Sequence, residues 1–181
     1  MLKLSFLNAF FSIFLIPLMM QCEDGRGGPC DTYTRYATKD NLCELLPVKI
    51  KYDQGETVTF RFEIKSKFLL NGKQIDIFQE TKLGSGLLLI NLTELFKDNT
   101  VTFVKGEKLD DNRFKAVYNS ATDSYELEIK IKLNRVGIYS FESTGTFRDR
   151  DYNDVDCAYI TIATNIKDNN LDDGRTEFSV D

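Results

Sequence analysis

Two acidic stretches near the C-terminus carry oxygen ligands at alternate positions, which is the pattern of ligands that calcium requires. The stretches cover residues 149–156 and 168–174. Their candidate ligands are Asp149, Asp151, Asn153, Asp168, Asn170 and Asp172. No helical pattern flanks either stretch, so the sequence allows at most an irregular calcium site between strands, and solvated loops are the default interpretation. We therefore predict a protein without a resident metal or cofactor.

The chain contains no histidine, and this absence limits its chemistry more than any residue present. It removes the commonest general base, the commonest metal ligand and every Ser-His or Cys-His catalytic pair. Two well-placed carboxylates could still cleave a glycosidic bond, but 28 acidic residues offer no preferred pair. The sequence thus predicts a protein that is not an enzyme, with a carboxylate-based hydrolase on a β scaffold as the alternative.

Four cysteines, Cys22, Cys30, Cys43 and Cys157, could form two disulfides in an oxidising compartment. If Cys22 is modified, three remain and one is left unpaired. We favour a bridge between Cys43 and Cys157, which would tie the start of the fold to its end. A local bridge between Cys30 and Cys43 is the competing possibility.

Three tyrosines are candidate ligand contacts. Tyr33, Tyr36 and Tyr152 lie in polar segments, where packing in a core does not explain them. Tyrosine contributes a large contact area at a low cost in side-chain entropy. Nucleic acid is not an expected partner, because the chain has a net charge of −5 and no basic stripe to neutralise phosphates.

The elements that must position these residues are strands, because a period of two dominates the sequence from Val48 onward. The clearest strands are Thr57–Lys65 and residues 125–133. Further strands are predicted at 48–52, 75–79, 87–92, 101–104, 114–118, 138–143, 158–163 and 177–180. Turn residues separate the strands at nearly regular intervals, and one helical turn capped by Thr93 is possible at 93–96. This pattern predicts an all-β domain, either an antiparallel sandwich or a barrel.

Residues 133–141 narrow the fold class. Gly137 can make a bend, and Tyr139 can return its hydroxyl to nearby backbone. The segment resembles the tyrosine corner of immunoglobulin-like folds. The resemblance implies an antiparallel immunoglobulin-like β-sandwich, which we assign to residues 45–181.

Residues 1–21 have the pattern of a secretory signal peptide. Lys3 is followed by an apolar run at 4–20, and no acidic residue precedes Glu23. The run is close to the minimum length of a membrane-spanning helix, roughly 17 residues. Pro17 and the lack of a basic cluster after the run favour cleavage over a retained anchor. Residues 18–22 resemble a bacterial lipobox, which implies that Cys22 is acylated.

A tether of residues 22–44 is expected to follow the signal. Its Glu23 and Asp24 resemble the surface-export signal of Bacteroidetes lipoproteins. With the strand-rich body and segment 55–60, the chain resembles the small lipoproteins of that group, which implies secretion and a lipid anchor at the outer membrane or cell surface. The resemblance brings no known activity with it.

The predicted function is a non-catalytic binding or interaction module at the cell envelope. Its loops or a strand edge would contact another protein or a glycan. The alternative is a structural envelope component that assembles with copies of itself through an exposed strand edge.

Overall fold

The structure, a computed structural model, describes residues 34–150, 158–167 and 174–181. In these ranges the protein is all-β, as the period-two pattern predicted. The first seven strands are β1 (Arg35–Thr38), β2 (Cys43–Leu46), β3 (Lys51–Tyr52), β4 (Thr57–Lys65), β5 (Lys67–Leu70), β6 (Lys73–Asp76) and β7 (Ser85–Ile90). The others are β8 (Thr100–Lys105), β9 (Glu107–Lys108), β10 (Arg113–Asn119), β11 (Ser124–Lys132), β12 (Gly137–Glu142), β13 (Thr144–Arg148), β14 (Ile160–Lys167) and β15 (Arg175–Val180).

Two short helices interrupt the strands, α1 (Ile77–Thr81) and α2 (Thr93–Phe96). The strand predicted at 75–79 is wrong in its second half, because α1 begins there. Asp76 caps α1, since its Oδ1 accepts the backbone N–H of Gln79 at 3.0 Å. The turn predicted at 93–96 is α2, although Leu92, not Thr93, is its N-cap. No helix in the described ranges is long and apolar enough to cross a membrane.

Seven strands close into a barrel in the order β4, β2, β14, β13, β7, β10 and β11, and β11 pairs back to β4. All these pairs are antiparallel except β2 with β14. Strand β8 extends the sheet from β11, β9 extends it from β10, and β1 pairs in parallel with the first half of β14. Hairpin β5–β6 and the three-stranded sheet β12–β15–β3 are separate from this ring.

Aromatic and aliphatic side chains fill the barrel. Phe147 lies between Phe62 and Tyr125, with ring centroids 5.4 Å and 5.5 Å away. Gly86 lies directly against the Phe147 ring, where an added Cβ would be 2.4 Å from a ring carbon. The interior is therefore a close-packed core in which even one extra methyl group would require a rearrangement.

The immunoglobulin-like sandwich predicted for residues 45–181 is not confirmed, because the sheet closes on itself. The inner face of a sandwich strand and the inner face of a barrel strand show the same alternation, so the sequence pattern does not distinguish them. Closure depends on β11, which pairs with β4 along its whole length and with β10 at its start.

The local prediction of a tyrosine corner is confirmed. Gly137 has a φ of 127°, and Tyr139 Oη donates a hydrogen bond to the carbonyl oxygen of Arg135 at 2.9 Å. The Tyr139 ring stacks on Phe178 with a centroid distance of 4.8 Å. Asn99 Oδ1 accepts the backbone N–H of Arg135 at 3.2 Å, so the corner is also joined to the loop after α2.

The tether predicted at 22–44 includes residues that belong to the fold. β1 pairs with β14, and Cys43 begins β2, which lies between β4 and β14. Each of these two strands has only four residues, too few for an alternating pattern to be distinguished from a polar linker. Residues 34–44 are therefore part of the folded unit.

Candidate functional site

A polar groove crosses the outer face of the barrel over β1, β14, β13 and β7. It consists of two adjoining depressions that share Thr38, Thr146 and Ala163. The larger depression has a volume of about 590 Å³. The smaller one, about 460 Å³, extends past Tyr36 to the tip of hairpin β5–β6 at Leu70. We call the two together the outer groove.

Register between four strands creates the floor of the outer groove. Ala163 of β14 pairs with Thr38 of β1 on one side and with Thr146 of β13 on the other. Thr146 in turn pairs with Leu89 of β7. Because paired residues point to the same face of a sheet, three short side chains lie side by side on the outer surface. The side chains around these three are longer, so the surface is depressed where the short side chains lie.

Hydroxyl, amide and carboxylate groups line the larger depression. Its polar residues are Thr38, Asp40, Asn91, Asn112, Glu142, Thr144, Thr146, Thr164 and Asn165. None of the described residues that line either depression is a lysine or an arginine. The outer groove is therefore anionic and rich in groups that both donate and accept hydrogen bonds.

Several of these polar groups are unused within the described part of the chain. The side chains of Asp40, Glu142, Thr144 and Thr146 make no hydrogen bond or ion pair with any described residue. Other carboxylates are paired, for example Asp123 with Lys67, whose Nζ lies 3.1 Å from Oδ2. The outer groove thus presents polar atoms that an external ligand could satisfy.

Tyr36 is the one predicted tyrosine contact that the structure describes. Its side chain is 57% exposed and lines the smaller depression. Tyr33 and Tyr152 lie outside the described residues and stay predictions. The sequence gives no signal for the threonine and alanine floor, because strand register is not visible in a single sequence.

No family model, curated protein or solved structure matches the chain. The groove and its chemistry are therefore the basis for inferring function. Because a fold can carry many unrelated functions, the residues of the site are also the stronger basis for such an inference.

Asp149 is the one calcium candidate within the described residues, and its carboxylate has partners in the protein. Oδ1 accepts the backbone N–H of Ile160 at 2.8 Å, and Oδ2 accepts from Arg150 Nε at 3.2 Å. Burial raises the pKa of Asp149, and this effect is larger than the lowering of the pKa by the two hydrogen bonds. The carboxylate therefore joins the end of β13 to the start of β14, which is a structural role.

The remaining calcium candidates lie outside the described residues, and their prediction stays untested: Asp151, Asn153, Asp168, Asn170 and Asp172. Within the described ranges, no group of three or more histidine, cysteine, aspartate or glutamate side chains could hold a metal ion.

The alternative hydrolase would need two facing carboxyl groups, one of them kept protonated by its surroundings. Asp149, whose pKa burial raises, lies in a separate depression of about 230 Å³ with Lys115 and Arg150. No second acid lines that depression among the described residues. Among the described residues, Asp149 therefore has no partner acid in this depression.

Cys43 has a free thiol that is fully buried inside the barrel. Burial raises the pKa of this thiol far above its usual range, because the thiolate cannot be solvated there. Cys157, the predicted disulfide partner, lies outside the described residues, as does Cys30. Because the Cys43 thiol is free, the predicted Cys43–Cys157 bridge is not formed, and neither is the competing Cys30–Cys43 bridge.

We expect the Cys43 thiol to resist iodoacetamide in the native protein and to be alkylated completely once the chain is unfolded without reductant. The reason is that the thiolate is the reactive form, and burial suppresses both its formation and its access to the reagent. Peptide mapping by mass spectrometry measures the modification. If Cys43 reacts only after a reductant is added to the unfolded chain, it is in a disulfide.

Proposed function

We propose that the protein is a non-catalytic binding module whose ligand occupies the outer groove. The observation that carries this proposal is the polar lining, in which Asp40, Glu142, Thr144 and Thr146 have no partner among the described side chains and backbone groups. Polar groups that converge in a concave site and are not used by the fold are typical of ligand contacts.

The framework around the outer groove supports the same proposal. Most of its floor lies on β14, β13 and β7, whose main chains are paired on both sides, and sites on such rigid elements need little reorganisation on binding. Hairpin β5–β6 forms one wall and is held at its base, because Ser66 Oγ donates to Asp76 Oδ1 at 2.8 Å. Lys39, just after β1, lies over the ring of Phe68 at 5.3 Å.

The matched test places the same arginine inside and outside the outer groove. Thr146→Arg should weaken binding at least tenfold, because the long side chain fills the floor and adds a charge. Thr102→Arg should have no effect, since Thr102 is exposed on β8 and does not line the groove. Biolayer interferometry with neutral oligosaccharides, acidic oligosaccharides and lysine-rich peptides measures the effect. A ligand that binds both variants equally well would contradict the assignment of the groove.

We further propose that a lipid on Cys22 holds this module at the outer membrane or cell surface. The support is the apolar run at 4–20, the position of Cys22 after it and the acidic Glu23 and Asp24. These residues lie outside the described ranges. Mass spectrometry of the mature protein should find an acylated N-terminal Cys22. An intact signal, or a free N-terminus beyond residue 22, would end this proposal.

One feature of the fold resembles immunoglobulin-like domains. We propose that the likeness is local and lies in the corner at Gly137 and Tyr139, where the glycine bend and the returning hydroxyl support it.

A further inference from the structure

We infer that the ligand of the outer groove is a neutral oligosaccharide. This inference rests on the proposed function and goes further by naming the ligand class. The outer groove combines groups that donate and accept hydrogen bonds, an exposed aromatic ring and an absence of cations among its described lining.

Hydrogen-bonding groups in the outer groove match those of a sugar. A sugar hydroxyl donates one hydrogen bond and accepts others, and threonine hydroxyls and asparagine amides do both as well. The carboxylates of Asp40 and Glu142 accept strong, charge-assisted bonds from hydroxyl groups. A ligand rich in hydroxyls could therefore satisfy the unused polar atoms of the lining.

The ring of Tyr36 supplies the apolar surface that a saccharide also needs. It is 57% exposed at the edge of the smaller depression, on the same face of β1 as the small side chain of Thr38. An aromatic ring with a polar hydroxyl suits a ligand that is apolar on its C–H face and polar at its rim. Tyr36 therefore contributes contact area where the threonine floor contributes hydrogen bonds.

The charge of the lining disfavours acidic saccharides. A uronic or sialic acid would face Asp40 and Glu142 without a lysine or arginine among the described lining residues. Repulsion between like charges in a partly desolvated site costs binding energy. Arg175 is opposite Glu142 in the β12–β15 register, but it donates to Ser140 Oγ at 2.9 Å and does not line either depression.

The direction of the outer groove favours a saccharide over an extended peptide. Its floor runs across the strands, from Thr38 on β1 to Leu89 on β7, about 14 Å at ordinary strand spacing. Main-chain groups of β14, β13 and β7 already bond to strands on both sides, so a peptide cannot add on that part of the floor as another strand. There, side-chain contacts alone must provide the affinity, and these suit a short chain of hydroxylated rings.

Isothermal titration calorimetry with the full chain tests the inference. The neutral probes are hexasaccharides of cellulose, starch, xylan, laminarin and chitin, and the contrasting probes are oligogalacturonate, sialyllactose and a lysine-rich peptide. We expect at least one neutral probe to bind and the acidic probes to give no heat. Tyr36→Ala should weaken that binding at least tenfold, while Ile138→Ala, which shortens an exposed side chain outside the groove, should leave it unchanged.

Glu142→Gln provides a second variant that keeps the shape of the groove. It should weaken neutral-sugar binding about fivefold to tenfold, because a charge-assisted hydrogen bond becomes a neutral one. An acidic saccharide or a lysine-rich peptide that binds instead, and is lost in Thr146→Arg, overturns the neutral-sugar inference and leaves the binding module standing. Neutral-sugar binding that all three groove variants retain overturns both proposals. If no probe binds, the neutral-sugar inference is overturned, and the proposed binding function has no ligand among the classes tested.

Discussion

Replacing Gly106 by alanine should lower the free energy of unfolding by about 3 to 5 kcal/mol, a large part of the roughly 5 to 15 kcal/mol that stabilises a typical domain. Gly106 has a φ of 78°, which an alanine adopts only with strain. Its added Cβ would be 2.2 Å from the carbonyl oxygen of Lys115 and 2.7 Å from Leu127 Cδ1. Lys115 cannot easily move, because β10 is paired with β7 on one side and β9 on the other.

The position of Gly106 explains the size of this effect. The residue joins β8, which pairs with β11, to β9, which pairs with β10. Strands β10 and β11 are also paired with each other, and that pairing closes the barrel. We call this β10–β11 pairing the seam of the barrel. The chain passes closely over the seam at Gly106, and a side chain there would push the two strands apart.

Gly72→Ala is the matched control for Gly106→Ala. Gly72 has a φ of 76°, almost the same backbone conformation, and no atom lies within 4 Å of an added Cβ. Its loss should be limited to the strain of the left-handed backbone, about 1 kcal/mol. Urea denaturation followed by circular dichroism measures both variants. Equal losses would show that backbone conformation alone, and not the contact with Lys115, makes glycine necessary at 106.

Local alternation could be predicted from the sequence, and closure of the barrel could not. Strand Thr57–Lys65 is observed with the predicted bounds, because its nine residues alternate without interruption. Closure depends instead on pairings of β11 with both β4 and β10, and on a close contact at Gly106. These are contacts between segments far apart in the chain, and a period of two carries no information about them.

The outer groove, too, could be predicted from the sequence only in part. Tyr36 could be predicted as a contact residue, because a large aromatic residue in a polar segment is visible in the sequence. The floor could not be predicted, since Thr38 and Ala163 become neighbours only through the parallel pairing of β1 with β14. For Asp149 the sequence pattern suggested a role that the structure does not show. The alternating acids suggested a calcium ligand, but this carboxylate accepts a hydrogen bond from Ile160 and joins two strands.

Glu126 should contribute about 3 kcal/mol to stability at neutral pH, although it is a buried carboxylate in an all-β fold. Burial by itself would raise the pKa of Glu126, but hydrogen bonds from Lys105, Thr122, Ser124 and Asn119 outweigh it and lower the pKa to about 2. Lys105 Nζ lies 2.6 Å from Oε2, and Thr122 Oγ1 lies 2.6 Å from Oε1. The carboxylate therefore holds the β10–β11 turn to the end of β8, beside the seam of the barrel.

The dependence of this contribution on pH follows from the direction of the shift. The folded state binds a proton at Glu126 less readily than the unfolded chain, whose glutamate pKa is about 4.3. The stabilisation is therefore complete above the unfolded value and is lost as the pH falls from about 4.3 through the folded pKa of about 2. Acid should weaken the turn and the seam together.

Glu126→Gln separates this contribution from general acid sensitivity. The variant should be about 2 to 3 kcal/mol less stable than the wild type at pH 7, because Lys105 loses its charged partner, and the difference should narrow below about pH 4. Glu128→Gln, two residues along β11, should change stability by less than about 0.5 kcal/mol, since Glu128 makes no hydrogen bond or ion pair with any described residue. Urea denaturation at several pH values measures both variants. A difference between the wild type and Glu126→Gln that stays constant down to pH 2 would mean that packing of the side chain, not its charge, stabilises the seam.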